Sequence, residues 1–127
     1  MSTVEAHMEK AARRLRVAER LLQEGEYEDS TSRAYYAMYH AARAALATVN
    51  VFPRTHEGLV SEFGKRFVLT GTFPKELGRA LADAKAARET YEYSVTTEIE
   101  ETEAESTLED AREFVAAVDR FDRSRKG

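Results

Sequence analysis

Tyr27-Glu28-Asp29-Ser30-Thr31-Ser32-Arg33-Ala34-Tyr35-Tyr36-Ala37-Met38-Tyr39-His40-Ala41-Ala42-Arg43-Ala44-Ala45-Leu46-Ala47-Thr48-Val49 is the segment on which the architecture turns. At about 100° per residue, Tyr27, Thr31, Ala34, Met38, Ala41, Ala45 and Val49 fall on one stripe, which Tyr35, Ala42 and Leu46 widen. The other side carries Arg33, Tyr36, His40 and Arg43, with Ala37, Ala44 and Ala47 among them. Small side chains let a second backbone come close. A helix that is apolar or small nearly all round belongs at the centre of a bundle or at a subunit interface. The segment therefore predicts a long helix packed on several sides.

Working outward, the chain repeats the same helical signal four more times. Val4, Met8, Ala11, Leu15, Ala18 and Leu22 recur at steps of four and three, which predicts a helix from about Val4 to Glu24. Ser2-Thr3-Val4-Glu5 reads as its capping box and Gly25 as its left-handed terminus. Pro53 opposes continuation of the central helix, and Thr55 is the expected N-cap of a helix from about His56 to Leu69 with Leu59, Val60, Phe63 and Phe67 inside and Gly71 closing it. Pro74 suits the first turn of a fourth helix to about Thr90, with Leu77, Leu81, Ala84, Arg88 and Tyr91 on one stripe. Tyr91 to Ile99, rich in β-branched residues, reads as a loop. A last helix, about Glu101 to Arg123, buries Ala104, Leu108, Ala111, Val115 and Val118, its acidic start and basic end matching the helix dipole. The expectation is one all-α domain spanning 1–127, an antiparallel up-and-down four-helix bundle with an additional helix.

Composition narrows the function. At 127 residues, 43% hydrophobic and 33% charged, the chain supports one core without staples, and the absence of Cys excludes disulfides, thiolate metal sites and a Cys nucleophile. A net charge of −4 argues against a general polyanion binder but leaves room for a local basic site. The N-terminus has no basic n-region or apolar h-region, and no apolar run approaches the ~20 residues of a membrane span, so a cytoplasmic location without membrane association is expected. One Asn (Asn50), one Gln (Gln23), no Cys and abundant Glu and Arg form a pattern of heat-adapted proteins.

His7, His40 and His56 are scattered along the sequence with no paired ligand at metal-binding spacing, so no metal and no cofactor are expected. Gly71-Thr72-Phe73-Pro74-Lys75 lacks the spacing of a phosphate loop. Arg33 and His40 stand two turns apart, about 10 Å along one side of the helix, with Tyr36 between them and Arg43 a turn beyond. A histidine titrates near neutrality and serves as acid or base, and a guanidinium holds a phosphate by two hydrogen bonds. That is a minimal set for metal-free RNA cleavage by a 2′-hydroxyl, with tyrosines available to stack on bases. The structural alternatives are a hydrogen-bonded His40 inside a helix interface, an Arg33 paired with Asp29, a His56 that only begins a helix, and Tyr35 and Tyr39 as packing.

Ser32-Arg33-Ala34-Tyr35-Tyr36-Ala37-Met38-Tyr39-His40-Ala41-Ala42, continued by Arg54-Thr55-His56, Phe73 to Gly78 and Arg88 to Tyr93, resembles the HEPN domain family (higher eukaryotes and prokaryotes nucleotide-binding), in particular a branch of small prokaryotic proteins. The resemblance implies a dimeric up-and-down bundle linked to nucleotides or RNA. It also implies frequent pairing with a minimal nucleotidyltransferase as a toxin–antitoxin system. Active members are metal-independent ribonucleases whose Arg and His are separated by four to six residues, in a cleft shared by two subunits. Carried onto this chain, the pair is Arg33 and His40, as catalytic residues, with Tyr36 and Arg43 binding substrate. In the better-characterised ribonucleases the pair lies later, and here the later stretch, Arg88 to Tyr93, has no His. Two expectations follow: a homodimer that binds RNA or a nucleotide and cleaves RNA as the toxin of a pair with a minimal nucleotidyltransferase antitoxin, or a non-catalytic module that docks such a partner.

Overall fold

Where the termini signals predict helix boundaries, the backbone follows. In the computed structural model, which describes residues 2–127, α1 spans Thr3–Gln23, α2 Tyr27–Ala47, α3 His56–Phe63, α4 Lys75–Tyr93 and α5 Glu101–Lys126. There is no strand among the described residues. Ser2 Oγ accepts the Glu5 amide at 3.1 Å and donates to the Glu5 carboxylate at 3.2 Å. Thr55 Oγ1 accepts the Gly58 amide at 2.9 Å. Gly25, with φ of 80°, takes the left-handed conformation that ends α1. Asn50, the chain's one asparagine, takes it at φ 59° past the end of α2, where its short polar side chain is tolerated.

Helix α2 is the axis of the molecule, packed against α1, α3, α4 and α5. It runs antiparallel to α1: Ser30 Oγ donates to the Ala18 carbonyl at 2.8 Å, and His7 faces His40 near the other end. This register sets Ala11 level with Ala37, and both are fully buried. Helix α4 returns along α2, tied by Tyr91, whose hydroxyl donates to Asp29 at 3.0 Å. Helix α5 descends beside α1, where Arg112 meets Glu19 at 3.3 Å. The result is the up-and-down bundle of α1, α2, α4 and α5, with α3 the additional helix. The central position accounts for the alanines all round α2: Ala37 and Ala44 are covered within one chain. The smallness of those faces therefore does not itself call for a second subunit.

One end of the interior is an aromatic cluster. Phe63, Phe67, Phe73, Phe114 and Phe121 pair with ring centroids 5.1–5.7 Å apart; Phe63 and Phe73 stack, and the other pairs are tilted or edge-on.

Four boundaries differ from the sequence pattern. Helix α4 runs through Tyr93, into the stretch expected as a loop, because Tyr91 is anchored to Asp29 and Arg88 pairs with Glu92 one turn on. Helix α5 continues to Lys126, where Arg125 and Lys126 both reach the buried Asp122. Val49, expected on the core stripe, lies beyond the end of α2 and is 46% exposed; after the turn at Asn50, Val51 packs on the core instead. The helix expected to reach Leu69 changes at Gly64 to a π-helical turn, Gly64–Val68, closed by the Leu69 amide on the Gly64 carbonyl at 2.9 Å. The wider turn shifts the register, so Phe67 stays buried while Leu69 is 83% exposed.

Ion pairs within helices, such as Arg66–Glu62, Arg88–Glu92 and Arg123–Asp119 at 2.9–3.0 Å, each contribute about 0.3–0.5 kcal/mol at ordinary temperature and gain weight on heating. Thermal unfolding followed by circular dichroism is expected to give a midpoint above roughly 65 °C, beyond the usual mesophile range. A midpoint inside that range would show that the composition reflects something other than heat adaptation.

Candidate functional site

Beyond the phenylalanine cluster, the polar flank of α2 collects rings and cations from three other helices. Tyr35, Tyr36, Tyr39, His40 and Arg43 come from α2, His7 from α1, His56 from the first turn of α3 and Arg88 from α4. The three histidines, far apart in sequence, form one connected run of rings. His7 stacks on His40 with centroids 5.2 Å apart, His40 meets Tyr39 edge-on at 5.1 Å, and Tyr39 meets His56 at 4.9 Å. The Arg43 guanidinium lies over the Tyr39 ring at 4.8 Å. Arg88 lies over Tyr35 and Tyr36 at 5.3 and 5.4 Å, donating to the Tyr36 hydroxyl at 3.3 Å and to Glu92 at 2.9 Å. Its Nε is buried without a partner.

The hydrogen bonds set the state of the histidines. Tyr35 is fully buried, and burial pushes its phenol up, so it stays protonated; its hydroxyl shares a hydrogen bond of 2.5 Å with His56 Nδ1, donating when that nitrogen is bare. In that tautomer the His56 proton sits on Nε2, away from Tyr35. His7 and His40 share an Nδ1–Nδ1 hydrogen bond of 3.0 Å, in which one ring donates and the other accepts. When His40 donates, its Nε2 carries a free lone pair. Burial, His7, and the charges of Lys10, Arg14 and Arg43 hold His40 down to about 4. Burial, with Arg43 and Lys10, also lowers His7, and burial, with Arg88, Lys85 and Arg43, lowers His56, opposed only by Glu89. All three rings are therefore neutral at neutral pH, in a field of cations.

A histidine whose folded pKa lies below its unfolded value near 6.5 makes the unfolded state bind more protons between the two. Stability is present above 6.5 and is lost as pH falls through 4. For His40 the loss is on the order of 1–2 kcal/mol once solvent screening of a half-buried ring is allowed for. Urea unfolding at pH 7 and pH 4.5 should show it, and His40→Gln should flatten the difference. An unchanged midpoint ratio between wild type and variant would contradict the buried pair.

The expected site residues divide into two groups. His40, Tyr36 and Arg43 lie in or beside the ring run; Arg33 is exposed on the same flank of α2 and forms no hydrogen bond or ion pair with His40 or with Asp29, whose carboxylate accepts from Tyr91. The pattern of one helix did not supply Arg88, His56 and His7. Arg88 counts there as part of a core stripe and His56 as a helix start, and only helix packing joins them to Tyr35 and Tyr39. Their presence in Arg54-Thr55-His56 and Arg88 to Tyr93, two of the stretches that carry the family resemblance, was the available signal. No group of three His, Asp or Glu side chains converges to hold a metal among the described residues.

A small helical bundle with a Tyr–His–Arg site on its second helix defines the class of protein. The family model of the HEPN domain matches residues 4–121, and the chain belongs to that family. Two proteins of Methanocaldococcus jannaschii are similar along most of their length. "Putative toxin MJ0142" is 31% identical over 93% of this chain and 80% of its own, and "Putative toxin MJ0605" is 35% identical over 91% and 85%. A UPF0332 protein of Pyrococcus horikoshii is 34% identical over 76% of this chain and 68% of its own. The crystal structure of TT1696 from Thermus thermophilus has the same fold, with a TM-score of 0.75 over 94% of this chain and 98% of that one at 19% identity.

Proposed function

We propose that this chain is a toxin-type HEPN protein that binds RNA at the ring run of α2 and cleaves it without a metal. The observation that carries this is the convergence of His7, His40 and His56 with Arg43 and Arg88 through Tyr39. Cleavage by a 2′-hydroxyl needs one group to take its proton and another to protonate the departing 5′-oxygen, with cations on the phosphate between. His40, with Nε2 free, takes the proton. His56, once protonated on both ring nitrogens so that Nδ1 donates to the Tyr35 hydroxyl, delivers a proton from Nε2 and returns to the neutral ring. Arg43 and Arg33 engage phosphate, Arg88 holds the tyrosine platform, and Tyr36 and Tyr39 position a base. The products are a 2′,3′-cyclic phosphate and a 5′-hydroxyl. The test is incubation of a mixed RNA pool with EDTA present, with the ends of the products mapped. Cyclic phosphate ends at unchanged rate support the reading, and intact RNA retires it.

The homodimer belongs to this proposal. Val49 and Phe52, 46% and 57% exposed, flank the turn at Asn50 just beyond the C-terminal end of α2 and supply the apolar part of a self-complementary contact. Light scattering is expected to give twice the 14.4 kDa chain mass at micromolar concentration; the monomer mass would count against it.

The second reading, docking of a nucleotidyltransferase-like antitoxin, is favoured by a cleft of about 630 Å³ between α2, α4 and the segment after it. Glu28, Asp29, Glu92 and Glu98 line it together with the exposed Val95, a surface opposite in charge to the histidine site.

A further inference from the structure

The histidine site continues into a second row of cations on α1 that the cleavage chemistry does not use. His7, Lys10 and Arg14 recur at three and four positions, so they share one side of α1, while Glu5 and Glu9 fall on the opposite side. The hydrogen bond between His7 and His40 and the bond of Ser30 to Ala18 fix the antiparallel register of the two helices. In that register Arg14 is level with Arg33, and Lys10 lies between that level and the histidine pair. The seam between α1 and α2 is thus edged by Lys10 and Arg14 on one side and Arg33 and Arg43 on the other. Among the described residues these four form no ion pair, and Lys10, Arg14 and Arg43 lie close enough for their charges to act together on His40. In a chain of net charge −4, four unpaired cations along one seam are a segregated field, not an average surface. From Arg33 to Arg43 the seam covers about 15 Å of helix axis, long enough for several successive phosphates.

We propose that the α1–α2 seam is a track for the sugar–phosphate backbone of single-stranded RNA, in which Lys10 and Arg14 bind phosphates flanking the one held at the histidine site. The inference rests on the reading of that site as an RNA site and adds what it does not contain: a requirement for length. A mononucleotide engages the rings, Arg43 and Arg33 and leaves Lys10 and Arg14 free. A longer strand also displaces counterions from the seam, so its affinity is greater and more dependent on salt.

The experiment is fluorescence anisotropy with labelled RNA carrying 2′-O-methyl groups, which prevent cleavage, as a mononucleotide and as a mixed-sequence oligonucleotide, across a series of salt concentrations. The variant is Lys10→Gln combined with Arg14→Gln, both on the helix surface, with circular dichroism confirming the fold. The wild type should bind the oligonucleotide more tightly than the mononucleotide. The variant should bind the oligonucleotide about tenfold more weakly at low salt, with the log–log salt slope reduced by about 1.4, or about 0.7 for each lost phosphate contact. Mononucleotide affinity should change less than about twofold, since contact with a single phosphate is local. A reduced slope in a protein that cuts no RNA supports the track while retiring the catalytic reading. Normal cleavage with an unchanged slope overturns the track alone. Competition by polyglutamate without any RNA binding also overturns it, because the seam would then serve an acidic polypeptide.

Discussion

Replacing His40 or His56 by alanine should lower the rate of RNA cleavage by about 10²–10⁴-fold, the usual contribution of a positioned acid or base, while the helical signal is retained. The two changes should differ in their pH dependence. His56 must carry a proton to protonate the leaving oxygen, and its pKa lies below the ordinary histidine value, whereas His40 stays a neutral base down to about 4. Wild-type kcat/KM should therefore rise as pH falls from 7.5 towards 5. His56→Ala should abolish that rise, and His40→Ala should leave a lower profile that keeps it. Arg33→Ala and Arg43→Ala should raise KM and lower kcat together, since a guanidinium on the phosphate contributes to binding and to the transition state. Arg88→Ala is a different experiment, because its side chain is largely buried against Tyr35 and Tyr36, so its loss should also lower the melting temperature. Variants that cut as fast as wild type would remove the histidines from the chemistry.

Phe114→Ala is expected to cost about 3–5 kcal/mol of stability, the range for truncating a fully buried aromatic side chain. Phe114 is completely buried, its ring is 5.1 Å from Phe63, and through Phe63 it meets the cluster of Phe67, Phe73 and Phe121, so little can move in to fill the space. For a domain of this size the melting temperature should fall by roughly 10–20 °C. Val49→Ala, at an exposed position, should change stability by less than about 0.5 kcal/mol. Guanidinium unfolding of both variants tests the pair. Equal effects would mean that the phenylalanine cluster is not a tightly packed part of the core.

The sequence by itself determined the five helices, the order in which they run and the need for α2 to be covered on several sides, because these depend on local signals. Apolar side chains spaced at the helical period must be buried together, while Ser2, Gly25 and Thr55 satisfy or redirect the backbone at helix ends. It also determined that His40, Tyr36 and Arg43 share a flank, since neighbours on one helix are fixed by the period alone. Tertiary structure decided the rest. Whether His7 reaches His40, whether Arg88 lies over Tyr35 and Tyr36, and whether Tyr35 bonds to His56 depends on the register between separate helices. No periodicity within one helix encodes that register. The same holds for the alanines of α2: the pattern shows that something must pack on them, and only the path of the chain shows that α1 covers Ala37. A helix face is a local property of sequence, but its partner is set by the free energy of packing the whole bundle. The site, assembled from α1, α2, α3 and α4, exists only at that level.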